Sequence, residues 1–440
     1  MNSNGIHQRS LLGIVALTTL VLGLAVSGLC VAETAAERNT QPVSEDVCFP
    51  GKTWPVCAPG EVGLDGSALD KISEYLEGRG CIVRHGCLAY RWGDETRRGD
   101  VASAVKPWYS TFLFMAVEQG RLPSLNTRVA DYVPELNNIN GGELAHKDRT
   151  MTFTHMANQI SCYGVREAPG TAFDYNDWQM ALFADTLFLK LYGATWETVD
   201  EAVLYGKLTD YLQCEDEPTF LAFGPHDRPG RLAVSPRDFA RLGWLYLNEG
   251  AWKGRQLVSP EHVRMATQNP LSNDIPRTEG VAAKMIPGQR SIGSRSIPDN
   301  QTDHHGSYSW LWWVNGVERN GKRYWPDAPL NTFAALGHAN GMRGMAVLPD
   351  LDLVIAWNDT TLDRRPSSPH PLNEVFRLLV EAVDEESPQE SSKHLVNLPE
   401  PDSLVATARV HRAHQPGRAK STRSISRSVA PKDNALEEAR

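Results

Sequence analysis

Strand patterns occupy both ends of this chain, and helix patterns occupy its middle. Cys81 to Trp92 has the pattern of two short strands around a turn, and strand patterns return only from Tyr308 onward. Between them, apolar residues recur at spacings of three and four, as from Trp178 to Tyr192. Apolar strand faces must be buried against another element. The chain is therefore predicted to adopt an α+β fold with one antiparallel sheet formed from both chain ends.

The same patterns predict individual elements. The predicted helices run from Ser67 to Leu76, Ser103 to Gly120, Trp178 to Tyr192, Pro236 to Leu247 and Phe376 to Val383. The predicted C-terminal strands run from Trp310 to Val314, Phe333 to His338, Met342 to Leu348 and Leu351 to Trp357. The stretch from Asn269 to Asp303 is rich in Pro, Gly, Ser and Arg and is predicted to be a long loop.

The first 32 residues are predicted to be a signal peptide. Leu11 to Val31 is an almost unbroken apolar run, and Cys30-Val31-Ala32 resembles a signal-peptidase site. Because the run is long for a signal peptide, an uncleaved membrane anchor is the alternative. In both cases the body of the protein is exported, to the periplasm or outside the cell. It is expected to contact a membrane only if the segment is uncleaved.

Composition divides the remaining chain into three parts. Residues 33–62 are predicted to be a linker and residues 63–385 a folded domain. Residues 386–440 contain no aromatic residue and are predicted to be a disordered tail. The formal net charge of −9 gives no general reason to bind nucleic acid.

Removal of a signal peptide would leave six of the seven cysteines. An even number in an exported chain predicts three disulfides, although six cysteines allow fifteen pairings. Proximity in sequence favours Cys48–Cys57 and Cys81–Cys87, which leaves Cys162–Cys214. The chain has no CxxC pair, and Asp303-His304-His305 lacks partners at metal-binding spacing. The sequence therefore predicts neither a metal site nor a cofactor.

Ser103 and Lys106 begin a strongly apolar helical run. Residues three apart on a helix lie on one face, so the amine can reach the hydroxyl. A serine is a weak nucleophile until a base removes its proton, and a neutral lysine can be that base. Pro107 is tolerated only in a first helical turn, which places Ser103 at the helix start. A surface lysine after a capping serine is the alternative explanation of this spacing.

Further motifs follow in a characteristic order. They are Ser103-x-x-Lys106 with Ala116 to Leu122, Pro169 to Tyr175, Ser235 to Asn248, and Gly337 to Trp357. Together they resemble the serine β-lactamase and penicillin-binding protein superfamily, in its class C-like branch. The resemblance covers about residues 65–385. It implies an antiparallel sheet with flanking helices and a mostly helical subdomain.

The resemblance assigns roles to three residues. Ser103 takes the place of the nucleophile and Lys106 that of the lysine base. Tyr175 stands at the tyrosine of the family's Y-x-N motif, which implies proton transfer to the leaving group and from the deacylating water. The implied substrate is a small molecule or is peptide-like.

Two motifs depart from the family pattern. Asp177 replaces the asparagine of Y-x-N, and a carboxylate cannot donate a hydrogen bond to a substrate carbonyl. Asp177 can instead pair with Lys106. In the third motif, His338 matches the histidine variant of the family, whereas Asn340 replaces its glycine. Gly341 lies one position late, and its N–H is the predicted second donor of an oxyanion hole.

Two hypotheses follow from these observations. The first is an exported serine hydrolase that cleaves an ester or amide bond through an acyl-enzyme on Ser103. The alternative is a catalytically silent binding protein on the penicillin-binding fold, which Asp177 and Asn340 favour.

Overall fold

The computed structural model describes residues 47–224, 228–338 and 340–384. The predicted signal peptide, residues 33–46 of the predicted linker and the predicted tail lie outside these residues. No helix in the described part of the chain is long and apolar enough to cross a membrane.

A seven-stranded antiparallel sheet forms the centre of the described residues. The described residues contain eleven strands, which are β1 (Arg79–Arg84), β2 (Cys87–Trp92), β3 (Gly99–Asp100), β4 (Ala233–Val234), β5 (Ala251–Trp252), β6 (Arg255–Gln256), β7 (Tyr308–Ser309), β8 (Trp312–Val314), β9 (Phe333–Gly337), β10 (Arg343–Leu348) and β11 (Leu353–Asn358). Seven of them form this sheet, and four form the separate pairs β3-β4 and β5-β6. The sheet order is β2-β1-β11-β10-β9-β8-β7, and Ile82 pairs with Ile355. The predicted pairing of the two chain ends is confirmed.

The described residues contain eight α-helices. They are α1 (Gly66–Leu76), α2 (Lys106–Glu118), α3 (Phe153–Ala157), α4 (Asp177–Ala184), α5 (Asp210–Leu212), α6 (Pro236–Leu247), α7 (Pro260–Gln268) and α8 (Leu372–Ala382). Of these, α6 and α7 pack against strands of the sheet. Wider π-helical turns cover Asp185–Leu191 and Asp200–Thr209. Shorter 3-10 turns cover Pro59–Val62, Ala102–Val105, Val129–Asp131, Pro134–Asn137, Gly142–Leu144, Lys147–Thr150, Pro349–Leu351 and Leu362–Arg364.

The packing follows from the apolar faces of these elements. In α6, a side chain at Gly243 would contact Val354, Met345 and Val347, so the glycine lets this helix lie close to the sheet. Helices α1 and α8 pack against each other. In α2 every residue from Lys106 to Ala116 is buried, and the Phe112 ring lies 5.7 Å from that of Phe188.

Two element predictions need correction. The strand predicted from Trp310 begins only at Trp312, because Trp310 and Leu311 have left-handed backbone conformations, with φ of 47° and 71°. The segments Asp200–Leu212 and Pro260–Gln268 are helical and were not predicted.

The predicted disulfide pairing is wrong. The structure joins Cys57 to Cys87, and Cys48, Cys81, Cys162 and Cys214 are unpaired. The hairpin register explains this result, because Cys87 lies opposite Arg84 whereas Cys81 lies opposite Arg91. Cys57 lies beside β2, and its N–H donates to the Leu88 carbonyl at 3.4 Å.

Peptide mapping under non-reducing conditions is therefore expected to recover Cys57 and Cys87 in one cross-linked fragment. Alkylation before denaturation is expected to modify Cys48, which is exposed, and to spare the buried Cys81. Recovery of a Cys81–Cys87 fragment would contradict the structure.

Candidate active site

Ser103 lies in a 3-10 turn, Ala102–Val105, that runs directly into α2. This confirms its predicted location at the start of the helix, with Pro107 in the first turn of α2. The Lys106 ammonium donates to Ser103 Oγ at 3.0 Å. Lys106 is 1% exposed, whereas Ser103 is partly exposed. A buried amine is thus hydrogen-bonded to a hydroxyl that solvent can reach.

Asp100 anchors the turn that carries Ser103. Its Oδ1 accepts from the Ala102 N–H at 2.9 Å and from Arg231 Nε at 3.1 Å. Its Oδ2 accepts from Arg343 Nη1 at 3.2 Å. The carboxylate therefore ties the turn to residues beside β4 and on β10. Sequence reasoning missed these partners, because they are distant along the chain and belong to no motif.

The end of β9 lies against the same turn. A side chain on Gly337 would collide with the Val101 carbonyl and press on the Ala104 N–H. The glycine therefore permits backbone contact between strand and turn. His338 follows immediately, so the third motif starts beside Ser103.

Tyr175 and Asp177 both lie close to the Lys106 ammonium. The Lys106 ammonium lies over the Tyr175 ring, 4.4 Å from its centroid. It is also 3.9 Å from Asp177 Oδ1. Tyr175 is 4% exposed and stacks beside Trp313, with ring centroids 6.4 Å apart. The structure thus brings together Ser103, Lys106, Tyr175 and Asp177.

The long loop holds the segment that carries Tyr175 and Asp177. The Asp177 N–H donates to Asp299 Oδ2 at 2.7 Å, and the Gln301 N–H donates to the Tyr175 carbonyl at 3.1 Å. Burial raises the pKa of Asp299, and the hydrogen bond from the Asp177 backbone opposes that rise. The sequence of this loop carries no signal that predicts these contacts.

His338 is a half-exposed group at the rim of the site. Its Nδ1 lies 3.5 Å from Asp363 Oδ2. Burial and the nearby Arg343 charge lower the pKa of His338, and Asp363 opposes this effect. The neutral imidazole is therefore favoured near pH 7, where one ring nitrogen donates and the other accepts.

The other two third-motif residues make hydrogen bonds within the protein, Asn340 to residues 363 and 365 and Gly341 to His338. The buried Asn340 side chain donates to the Arg365 carbonyl at 3.0 Å, and its N–H donates to Asp363 Oδ1 at 2.9 Å. The Gly341 N–H donates to the His338 carbonyl at 3.2 Å. A role for Gly341 in an oxyanion hole stays a prediction and requires that bond to open.

No group of three or more His, Cys, Asp or Glu side chains in the described residues could hold a metal ion. The imidazole of His304 is buried, and its Nε2 lies 2.9 Å from the Ile275 carbonyl. The Asp303-His304-His305 stretch is thus part of the loop structure.

Asp174 is a buried carboxyl directly before Tyr175. Its Oδ2 accepts from Asn176 Nδ2 at 2.5 Å, while its Oδ1 has no partner among the described residues. Burial raises its pKa to about 7. Between about pH 4, where an unfolded aspartate titrates, and about pH 7, the folded state holds a proton that the unfolded chain has released.

The contribution of Asp174 to stability is therefore expected to fall as the pH rises from 4 to 7, by roughly a few kcal/mol. Asp174→Asn should remove this dependence. Urea unfolding of both chains at pH 5 and pH 8 measures the difference. Parallel losses of stability in wild type and variant would contradict the assignment.

Comparison with known proteins identifies the fold of this chain. No protein-family model and no curated protein matches the sequence. Among solved structures, a protein described as a 6-aminohexanoate-dimer hydrolase from Bacillus anthracis matches with a TM-score of 0.50 and 14% identity, over 77% of this chain and 89% of that one. One described as a β-lactamase from Bacteroides dorei matches with a TM-score of 0.51 and 16% identity, over 73% and 100%. The chain therefore has the fold of the serine β-lactamase and penicillin-binding protein superfamily.

Proposed function

We propose that this chain is an exported serine hydrolase that cleaves an ester or amide bond through an acyl-enzyme on Ser103. The observation that carries the proposal is the 3.0 Å hydrogen bond from the buried Lys106 ammonium to the accessible Ser103 hydroxyl. The fold supports it, because the two solved structures compared above are described as a 6-aminohexanoate-dimer hydrolase and a β-lactamase.

In the proposed reaction, Ser103 Oγ attacks the substrate carbonyl carbon and its proton passes to neutral Lys106. The tetrahedral intermediate collapses, and the leaving group receives a proton through Lys106 and Tyr175. Water then attacks the acyl carbon and gives a proton to the same groups, which pass it to Ser103 Oγ as the bond between Ser103 and the acyl group breaks and the acid is released. No step in this sequence uses a cofactor.

The Lys106–Asp177 pair controls the first step. A carboxylate 3.9 Å from the ammonium stabilises its charged form, which cannot accept a proton. Activity is therefore expected to increase with pH as Lys106 becomes neutral. This pair is also the observation that favours the second candidate function, a silent binding protein.

A covalent probe tests the proposal. After incubation with a fluorophosphonate or a penicillin-type probe, tryptic mapping is expected to find the mass of the adduct on Ser103. Binding of small ligands without an adduct, and without turnover of an ester and amide panel between pH 6 and pH 10, would instead support the binding protein.

A further inference from the structure

Gly293, in the long loop, lies directly against the carboxylate of Asp177. A Cβ atom at this position would collide with Asp177 Oδ2 and would lie only 2.9 Å from Asp177 Cγ. Its backbone is not in the left-handed region, so the conformation alone does not require glycine. The physical reason for glycine here is the close approach of the carboxylate.

The residues around Gly293 also bind Asp177. The Ser294 N–H donates to Asp177 Oδ2 at 3.1 Å, and the Ile292 N–H donates to the Asp177 carbonyl at 3.3 Å. On the other side, the Asp177 N–H donates to Asp299 Oδ2 at 2.7 Å. The loop therefore restrains both the backbone and the side chain of Asp177.

These contacts fix which oxygen faces the lysine. Because Oδ2 is held by the Ser294 N–H, Oδ1 is the oxygen that lies 3.9 Å from Lys106 Nζ. A carboxylate rotates about the Cβ–Cγ bond unless its oxygens are held. The absent side chain of Gly293 leaves room for this one orientation.

We propose that Gly293, with the Ser294 N–H, is a positioning element that holds the Asp177 carboxylate against Lys106 and thereby sets the pH at which Ser103 is activated. The inference rests on the proposed function for its effect on catalysis. The part that concerns the effect of Asp177 on the protonation of Lys106 does not depend on that function.

Two other titratable groups interact electrostatically with Asp177, Asp299 in the long loop and Tyr109 on α2. Arg231, Arg290 and Asp185 also act on Tyr109. The Tyr175 ring contacts Lys106 itself. None of these groups is altered in the variants used below. Their effects on the pH profile therefore cancel when a variant is compared with its matched partner.

The experiment is a double-mutant comparison of pH profiles. Gly293→Ala should push the carboxylate away from Lys106, and the acid limb of kcat/KM should move to lower pH by about one unit, because the charged lysine loses its partner. In the Asp177→Asn background the same alanine should cause no such shift, since no charge remains to displace. Gly60→Ala is the matched control, because Gly60 is exposed and has open space around it.

A second measurement does not depend on turnover. In a chain carrying ¹³C-labelled lysine, the Lys106 resonance is assigned by its absence in Lys106→Arg. It is then titrated in four chains: wild type, Gly293→Ala, Asp177→Asn and the double variant. A lower midpoint in Gly293→Ala, absent in the Asp177→Asn pair, supports the inference. Equal midpoints in wild type and Gly293→Ala, or equal shifts in both backgrounds, overturn it. A shifted midpoint in a chain that never labels on Ser103 would refute the proposed function alone.

Discussion

Ser103→Ala is expected to abolish covalent labelling and to lower kcat/KM at least about 1000-fold, as removal of the nucleophile does in serine hydrolases. The physical reason is that Ser103 Oγ is the hydroxyl hydrogen-bonded to Lys106 at 3.0 Å. Alanine is expected to keep the turn, because neither the 3-10 turn nor α2 begins with a side-chain cap. Labelling by a fluorophosphonate and initial rates on an activated ester measure both effects.

Ser73→Ala is a matched control. Ser73 is also a helical serine, and its hydroxyl donates to the Asp70 carbonyl on α1. This variant should label and turn over like wild type. If Ser103→Ala labels as strongly as Ser73→Ala, the nucleophile is another residue.

Asp177→Asn is expected to move the acid limb of the kcat/KM profile to lower pH by about one unit. The sign follows from charge. The Asp177 carboxylate favours the ammonium form of Lys106, so its removal lets the lysine become neutral, and able to accept the Ser103 proton, at a lower pH. Activity on the acid limb should therefore rise several-fold, while the alkaline plateau changes little. Asparagine keeps the shape of the side chain and an oxygen that can accept from Lys106.

The profile is measured with an activated ester from pH 5 to pH 10. Asp352→Asn is the control, because Asp352 is an exposed carboxylate whose side chain pairs with His85 on the surface. An acid limb that stays in place in Asp177→Asn would mean that Lys106 is not the group whose ionisation limits the rate. It would also contradict the role inferred above for Gly293 and the Ser294 N–H.

The fold was predictable to the extent that its signals are local. The periodicity of Trp178 to Tyr192 and the strand–turn–strand pattern of Cys81 to Trp92 depend on neighbours a few residues apart, and both predictions agree with the structure. The break at Trp310 and Leu311 was not predictable, because nothing in two apolar residues indicates a left-handed backbone. The disulfide was missed because hairpin register, and not proximity in sequence, decides which cysteines meet.

The sequence by itself determined the Ser103–Lys106 pair, since a spacing of three residues at a helix start places the two side chains together in any fold. It also placed Tyr175 and His338 in the order that the family uses. Only the tertiary structure decided what these residues contact. Asp100 joins Arg231 and Arg343, Asn340 faces residues 362–365, and Asp177 lies between Lys106 and the long loop. Such contacts join residues far apart in the chain, and their geometry depends on sheet register and loop path, which no local pattern encodes.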